Sequence, residues 1–184
     1  SILLVISFVM VFYFSQQIVL NENRSNLIKF NSYIINVIKE NEEALLSLPT
    51  SSRLDFISEK IYPNIKDNTL ISYKISDNYG DVYLSSEGVE DLLNQDNFSE
   101  YNIDIFKLHI DNPADQTEDH VDVDSFRYNK NEYYYLGSSY LVSDDYTIYI
   151  QVVKNLNDSF VYMTALFSIQ IAISILCLAI IIFI

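Results

Sequence analysis

A run of acidic residues near the middle of the chain carries the residue types best suited to binding chemistry. No Lys or Arg occurs between Lys107 and Arg127, and two His-x-Asp pairs lie within this stretch. Carboxylate oxygens suit hard cations such as Mg²⁺ or Ca²⁺, and adding both imidazoles would suit Zn²⁺. The candidate metal ligands are His109, Asp111, Asp115, Glu118, Asp119, His120, Asp122 and Asp124.

Three interpretations of this acidic run stay open. Carboxylates held close together repel one another at neutral pH, and a divalent cation or a cationic peptide would relieve that repulsion. A block of like charge is also typical of a solvated loop that binds nothing. A zinc site is the third interpretation, although the spacing matches no closed structural zinc motif.

The charge and the glycine content of the chain exclude several function classes. The chain has 25 Asp and Glu against 11 Lys and Arg, a net charge of -14, which disfavours nucleic acid as a partner. Its three glycines, Gly80, Gly88 and Gly137, are too far apart to form a phosphate-binding loop. Since no nucleophile, base and acid are arranged for catalysis, we predict no catalytic residue and no organic cofactor in this segment.

Both ends of the chain are strongly apolar. The first 14 residues are SILLVISFVMVFYF, and the last 23 are YMTALFSIQIAISILCLAIIIFI. Segments of about 20 predominantly apolar residues are typical of membrane-spanning helices. We therefore predict transmembrane helices at residues 1–20 and 159–184, the lipid bilayer as a partner, and a multi-pass protein of the cell membrane. The extracytoplasmic side is predicted for residues 21–158 from the architecture. A cleaved signal-peptide core is the alternative for the first segment, but no small-x-small cleavage site follows it.

The segment between these ends predicts an α+β domain that begins with helices. An apolar stripe from Leu27 to Leu48 recurs at steps of three, four and seven, which predicts one long helix to about Ser47. This stripe could pack on its own domain or on a second copy of the chain. A shorter helix, LDFISEKIY, follows and is predicted to end before Pro63.

Alternating apolar and polar residues predict a roughly five-stranded antiparallel sheet. Residues 71–86, ISYKISDNYGDVYLSS, predict a hairpin in which Gly80 is free to take a positive φ. Three further runs, SFRYN, EYYYLGSSYLV and YTIYIQVV, are separated by the turn-rich sequences NKNE and SDDY. The structure of residues 87–124 is left undetermined, either helical or rich in loops.

This order of elements resembles the extracytoplasmic PAS-like sensor region, of the PDC or Cache-like kind, of Gram-positive bacterial sensor histidine kinases. The residues that carry the resemblance are the hairpin from Ile71 to Ser86, the strand from Tyr133 to Val142, and TIYIQVVKNLNDSF at residues 147–160. The resemblance covers nearly the whole chain and depends on the order of elements, since no single residue is diagnostic.

The resemblance implies the input part of a membrane-bound sensor histidine kinase in a two-component system. Such a protein works as a homodimer and passes an envelope or extracellular signal to a response regulator. ATP would bind only in a kinase part beyond this segment, so the full-length protein is expected to be a protein histidine kinase. The alternatives are the same sensor type on a chemoreceptor or a cyclic-dinucleotide synthase, and a structural envelope protein with two anchors.

Overall fold

The computed structural model describes residues 2–66, 68, 70–93, 95–101, 103–106, 108–110 and 121–183. The chain forms two compact units, residues 1–23 with 156–184, and residues 24–155. The elements in chain order are α1 (Ile2–Glu40), α2 (Glu42–Ser47), α3 (Thr50–Ile65), β1 (Ile71–Asp77), β2 (Val82–Ser85), α4 (Val89–Leu92), α5 (Gln95–Glu100), β3 (Leu108–Ile110), β4 (Asp124–Tyr128), β5 (Asn131–Ser143), β6 (Tyr146–Asn155) and α6 (Asn157–Phe183).

The first unit is a pair of helices, the beginning of α1 and the whole of α6. The ring of Phe167 in α6 contacts the rings of Phe8 and Phe12, at centroid distances of 5.9 Å and 4.6 Å. Further along the pair, Asn23 Nδ2 donates a hydrogen bond of 3.0 Å to Ser159 Oγ. Aromatic contacts and one polar contact therefore join the two helices.

The prediction that these helices cross a membrane requires a correction. Within the described ranges, neither helix combines the length and the apolar character that a membrane span needs. Polar side chains interrupt both apolar runs, at Gln16 and Gln17 in α1 and at Ser168 and Gln170 in α6. For these residues the predicted transmembrane helices at 1–20 and 159–184, and the multi-pass location in the cell membrane with an extracytoplasmic domain, are therefore wrong.

The predicted long helix ends earlier than the apolar stripe suggested. Helix α1 ends at Glu40, and Asn41 separates it from α2. The Asn41 side chain donates to the carbonyl oxygen of Val37 at 2.7 Å, and such side-chain bonds compete with the helical backbone. The stripe itself is buried in the core of its own domain, with Leu27 and Ile34 fully inaccessible.

The third helix continues where a proline was expected to end it. Helix α3 includes Pro63 and ends at Ile65. Ile57, Ile61 and Ile65 recur every fourth residue and all three are buried, so one apolar face continues through the proline. Burial of Ile65 therefore outweighs the hydrogen bond that a proline cannot donate.

The α+β class and the antiparallel sheet are confirmed in residues 24–155. The strand order is β2-β1-β6-β5-β3, with β4 also paired to β5, and the five predicted strands correspond to β1, β2, β4, β5 and β6. Strand β5 is long enough to pair with β4 along its first part and with β3 further on. Strand β3, which pairs in parallel, lies in the stretch whose structure was not predicted.

The predicted hairpin between β1 and β2 is confirmed, and a buried carboxylate organises its turn. Gly80 has a φ of +93°. Asp77 Oδ1 accepts hydrogen bonds of 2.9 Å from the backbone N–H groups of Tyr79 and Asp81. Its other oxygen, Oδ2, accepts a hydrogen bond of 2.6 Å from the Tyr83 hydroxyl. One side chain therefore joins both ends of the turn to the second strand.

The sheet buries both of its faces. One face, here called the helix face, packs against α1 and α3 and contains Tyr73, Ile75, Leu136, Ile150 and Val152. Neighbouring residues along each strand point the other way, to what we call the covered face. A second apolar cluster, drawn from α5, the following loop, β4, β5 and β6, lies on that face and contains Phe98, Ile103, Phe126, Tyr133, Tyr135 and Val153. The described residues between 86 and 106, here called the covering segment, supply part of this cluster.

Candidate functional site

Three neighbouring strands place a row of unlike residues at the centre of the covered face. Lys74 of β1 lies directly opposite Gln151 of β6, and Gln151 lies opposite Gly137 of β5. Residues directly opposite each other in antiparallel strands point to the same face. The Lys74 cation, the Gln151 amide and the bare backbone of Gly137 therefore share one row. Tyr149 lies two residues from Gln151 along β6.

Gly137 allows the covering segment to approach the sheet closely. A Cβ atom built on this glycine would lie 1.8 Å from the carbonyl oxygen of Ile105 and 2.3 Å from the Tyr135 hydroxyl. No side chain tolerates such distances, so the contact requires glycine. The absence of a side chain at Gly137 thus allows the covering segment to lie against β5.

A short chain of hydrogen bonds fixes the same contact. Gln151 Nε2 donates to the Tyr135 hydroxyl at 3.2 Å, and that hydroxyl donates to the carbonyl oxygen of Ile105. Burial raises the pKa of Tyr135 well above its usual range, the Gln151 hydrogen bond lowers it, and Asp124 and Asp104 raise it. The hydroxyl is therefore neutral at physiological pH and can donate to the carbonyl.

Lys74 is joined to the covering segment by an ion pair. Its Nζ lies 2.8 Å and 2.9 Å from the two carboxylate oxygens of Glu90. Glu90 follows Gly88, whose φ of +73° turns the chain into helix α4. The Glu90 side chain is 63% exposed and that of Lys74 only 21%, so the pair is open to water on the carboxylate side. The Glu90 carboxylate is therefore in contact with water.

Aromatic rings line the covered face on both sides of this row. Phe106 of the covering segment stacks on Tyr149 with centroids 4.4 Å apart and an angle of 30°. Phe98 contacts Tyr135 at 4.6 Å and Phe126 at 5.6 Å. These ring contacts join the covering segment to β4, β5 and β6 beside Lys74 and Gln151.

The predicted metal ligands are only partly within the described chain. The backbone of His109 lies in β3, in register with Ser139, while Asp124 begins β4 opposite Tyr135 and Asp122 is exposed. Across the described ranges, no group of three or more His, Cys, Asp or Glu could hold a metal ion. The remaining candidates lie outside the described residues, namely Asp111, Asp115, Glu118, Asp119 and His120.

Lys74, Gln151 and Gly137 were not among the candidate binding residues selected from the sequence, although one local signal was present. A glycine inside a strand often marks a close approach of another backbone, and Gly137 is the only glycine within the predicted strand EYYYLGSSYLV. Lys74 occupies an alternate position of β1, which is typical of an ordinary solvent-facing residue. Its pairing with Glu90 and Gln151 depends on contacts 16 and more residues away, which the local pattern does not contain.

Comparison with known proteins gives no match: no family model, no curated protein and no solved structure resembles this chain closely enough to be assigned. Function must therefore be inferred from the geometry of the fold and of the covered face.

Proposed function

We propose that the chain is a sensory input domain and that it controls the histidine kinase of a two-component system. A small ligand binds on the covered face, at the row formed by Lys74 and Gln151. Its binding changes the position of the covering segment and of strand β6. The kinase then acts as a homodimer and phosphorylates a response regulator.

One observation supports this proposal most directly, namely the position of β6. This strand carries Gln151 on the covered face and pairs with β1 on one side and β5 on the other. It ends at Asn155, and α6 begins at Asn157, so only the buried Leu156 separates them. In this proposal, a change in β6 is passed to α6 along the backbone, which joins the two elements through that single residue.

The chemistry of the covered face indicates the class of ligand. Lys74 is already paired with a carboxylate of the protein, so a ligand that takes this position must itself carry an anion that competes with Glu90. A partly exposed ion pair contributes little to stability, about 0–1 kcal/mol, so Glu90 is readily displaced. Small carboxylates are the simplest molecules with this property.

The ligand class can be tested by thermal denaturation of the whole chain. Succinate and benzoate, added separately at millimolar concentrations, should raise the melting temperature of the native chain. Lys74→Met should abolish the shift, whereas the control Lys66→Met, at an exposed lysine after α3, should keep it. Equal shifts in both variants would place the anion elsewhere, and no shift in any of them would remove this ligand class.

Binding of Mg²⁺, Ca²⁺ or a cationic peptide by the acidic run is a second hypothesis on the input signal. Asp122 and Asp124, its two described carboxylates, already have interaction partners within the domain. Titration with each cation, with melting temperature as the readout, distinguishes it from the first. Unchanged melting with Mg²⁺, Ca²⁺ and Zn²⁺ would remove the metal version.

The kind of output can be tested separately from the ligand. A helix with an H-E-L/F-R-T/N-P-like histidine motif, encoded after Ile184, would support a kinase. A GGDEF sequence or a long methyl-accepting coiled coil there would instead support a cyclic-dinucleotide synthase or a chemoreceptor. Reading the downstream codons decides between these outputs.

A further inference from the structure

Helix α1 carries a partly buried arginine, Arg24, and a fully buried asparagine, Asn31. They are seven residues apart, so they lie on the same side of the helix about two turns from each other. Arg24 Nη2 donates a 2.6 Å hydrogen bond to the carbonyl oxygen of Val121. Asn31 Oδ1 accepts a 2.8 Å hydrogen bond from Ser138 Oγ, and both of these side chains are fully buried.

Strand β5 supplies the other side of this contact. Tyr134 and Ser138 are four residues apart, so both point to the helix face. Burial raises the pKa of Tyr134, Glu132 adds to that rise and the nearby guanidinium of Arg24 opposes it. We call the set of Arg24, Asn31, Tyr134 and Ser138 the polar seam.

Each helix residue of the polar seam leaves one buried donor without a partner. These donors are Arg24 Nε and Asn31 Nδ2. Among the buried side-chain nitrogen and oxygen atoms of the described chain, these are the ones for which no hydrogen-bond partner is found. A buried donor that makes no hydrogen bond destabilises the arrangement that contains it. Both donors belong to the same side of α1, so this side of the helix carries the unpaired buried donors found in the described chain.

Apolar side chains enclose the centre of the polar seam. The residues three and four positions from Asn31 along α1 are Leu27, Ile28, Ile34 and Ile35, and each of them is buried. A single polar residue within an apolar helical stripe specifies the register of packing at a cost in stability. By this principle Asn31 favours the register in which it meets Ser138, while its unpaired Nδ2 lowers the stability of that register.

We infer that the polar seam is a conformational switch, in which α1 exchanges between the observed register on β5 and a second register that satisfies the free donors. The inference rests on the proposed sensory function, where the two registers are the resting and the activated states. A signal needs only to stabilise one register over the other, because two populated states of similar free energy respond to small biases.

The test replaces the centre of the polar seam by apolar groups in the whole chain. Asn31→Leu combined with Ser138→Ala removes the free Asn31 donor together with the hydrogen bond between Ser138 Oγ and Asn31 Oδ1. We expect the melting temperature to rise by about 2–4 °C or more, and amide hydrogen exchange in residues 24–40 of α1 to slow by about tenfold. Asn36→Leu makes the same change at an exposed position of α1 and serves as the matched control.

A second variant keeps the test decisive if the double variant does not fold. Ser138→Ala alone leaves the Asn31 amide with no partner, so it should lower the melting temperature and speed exchange in α1. Two results would overturn the proposal. One is an unchanged rate of hydrogen exchange in α1 of Ser138→Ala. The other is hydrogen exchange in α1 that slows no more in the double variant than in Asn36→Leu.

These measurements use neither ligand nor kinase. Failure of the switch therefore leaves the proposed sensory function standing. Failure of the carboxylate test in turn says nothing against the switch.

Discussion

Replacing Gly137 by alanine should detach the covering segment from the sheet. The new methyl carbon would lie 1.8 Å from the carbonyl oxygen of Ile105 and 2.9 Å from its carbonyl carbon. Both atoms belong to the backbone, so no rotation of a side chain relieves the clash. The segment around Ile105 must move away, and Tyr135 then loses the acceptor of its hydroxyl hydrogen bond.

The expected loss of stability has two parts. Overpacking a well-packed position costs about 1–3 kcal/mol, and leaving the buried Tyr135 hydroxyl without its acceptor costs about 1–3 kcal/mol more. The sum is about 2–6 kcal/mol. With a urea dependence of about 2 kcal/mol per molar, the midpoint of unfolding should fall by roughly 1–3 M.

Urea denaturation followed by circular dichroism measures this loss, and hydrogen exchange locates it. Hydrogen exchange should become faster, with the largest increase at the backbone amides of Ile103, Ile105 and Phe106. Gly80→Asn is the matched control, because Gly80 has a positive φ that asparagine tolerates and no atom lies within 4 Å of the position that a Cβ atom would occupy. If Gly137→Ala unfolds at the same urea concentration as this control, the close approach at Gly137 does not hold the covering segment.

Two further predictions concern buried polar groups. Asp77→Ala removes three hydrogen bonds of the hairpin turn and should lower the free energy of unfolding by about 2–4 kcal/mol. Asp81→Ala removes an exposed carboxylate and should change this free energy little. Similar melting temperatures for the two variants would contradict the prediction. Burial raises the pKa of Tyr135 and of Tyr140 above the ordinary value of 10.0, and for Tyr140 a hydrogen bond to Glu42 adds to the rise. Because the unfolded chain then loses these protons at lower pH than the folded chain, stability is complete below about pH 10 and falls as pH rises further. The part of the 295 nm absorbance change that is lost in the Tyr135→Phe and Tyr140→Phe variants should therefore coincide with unfolding measured by circular dichroism. If that part instead appears near pH 10 with the circular dichroism unchanged, the prediction is refuted.

The local pattern of the chain was enough to predict most of the sheet. Alternation with a period of two is a property of each strand by itself, so all five predicted strands are present. Gly80 and its polar neighbours predicted the turn for the same reason, because a positive φ is a local requirement. The apolar stripe of α1 likewise predicted a buried helix face.

Other features could not be derived from local patterns. The end of α1 at Asn41 depends on one side-chain hydrogen bond, and the continuation of α3 through Pro63 depends on the burial of Ile65. Hydropathy indicated membrane spans at both ends of the chain, and that prediction was wrong for the described residues.

The sequence by itself determined the α+β class, the strands and the turn, because backbone preference and the period of burial act over a few residues. Only the tertiary structure decided that Lys74, Gln151 and Gly137 form one row, and that Asn31 meets Ser138 107 positions away. Contacts between residues so distant in sequence depend on strand order and register, which arise when the whole core packs.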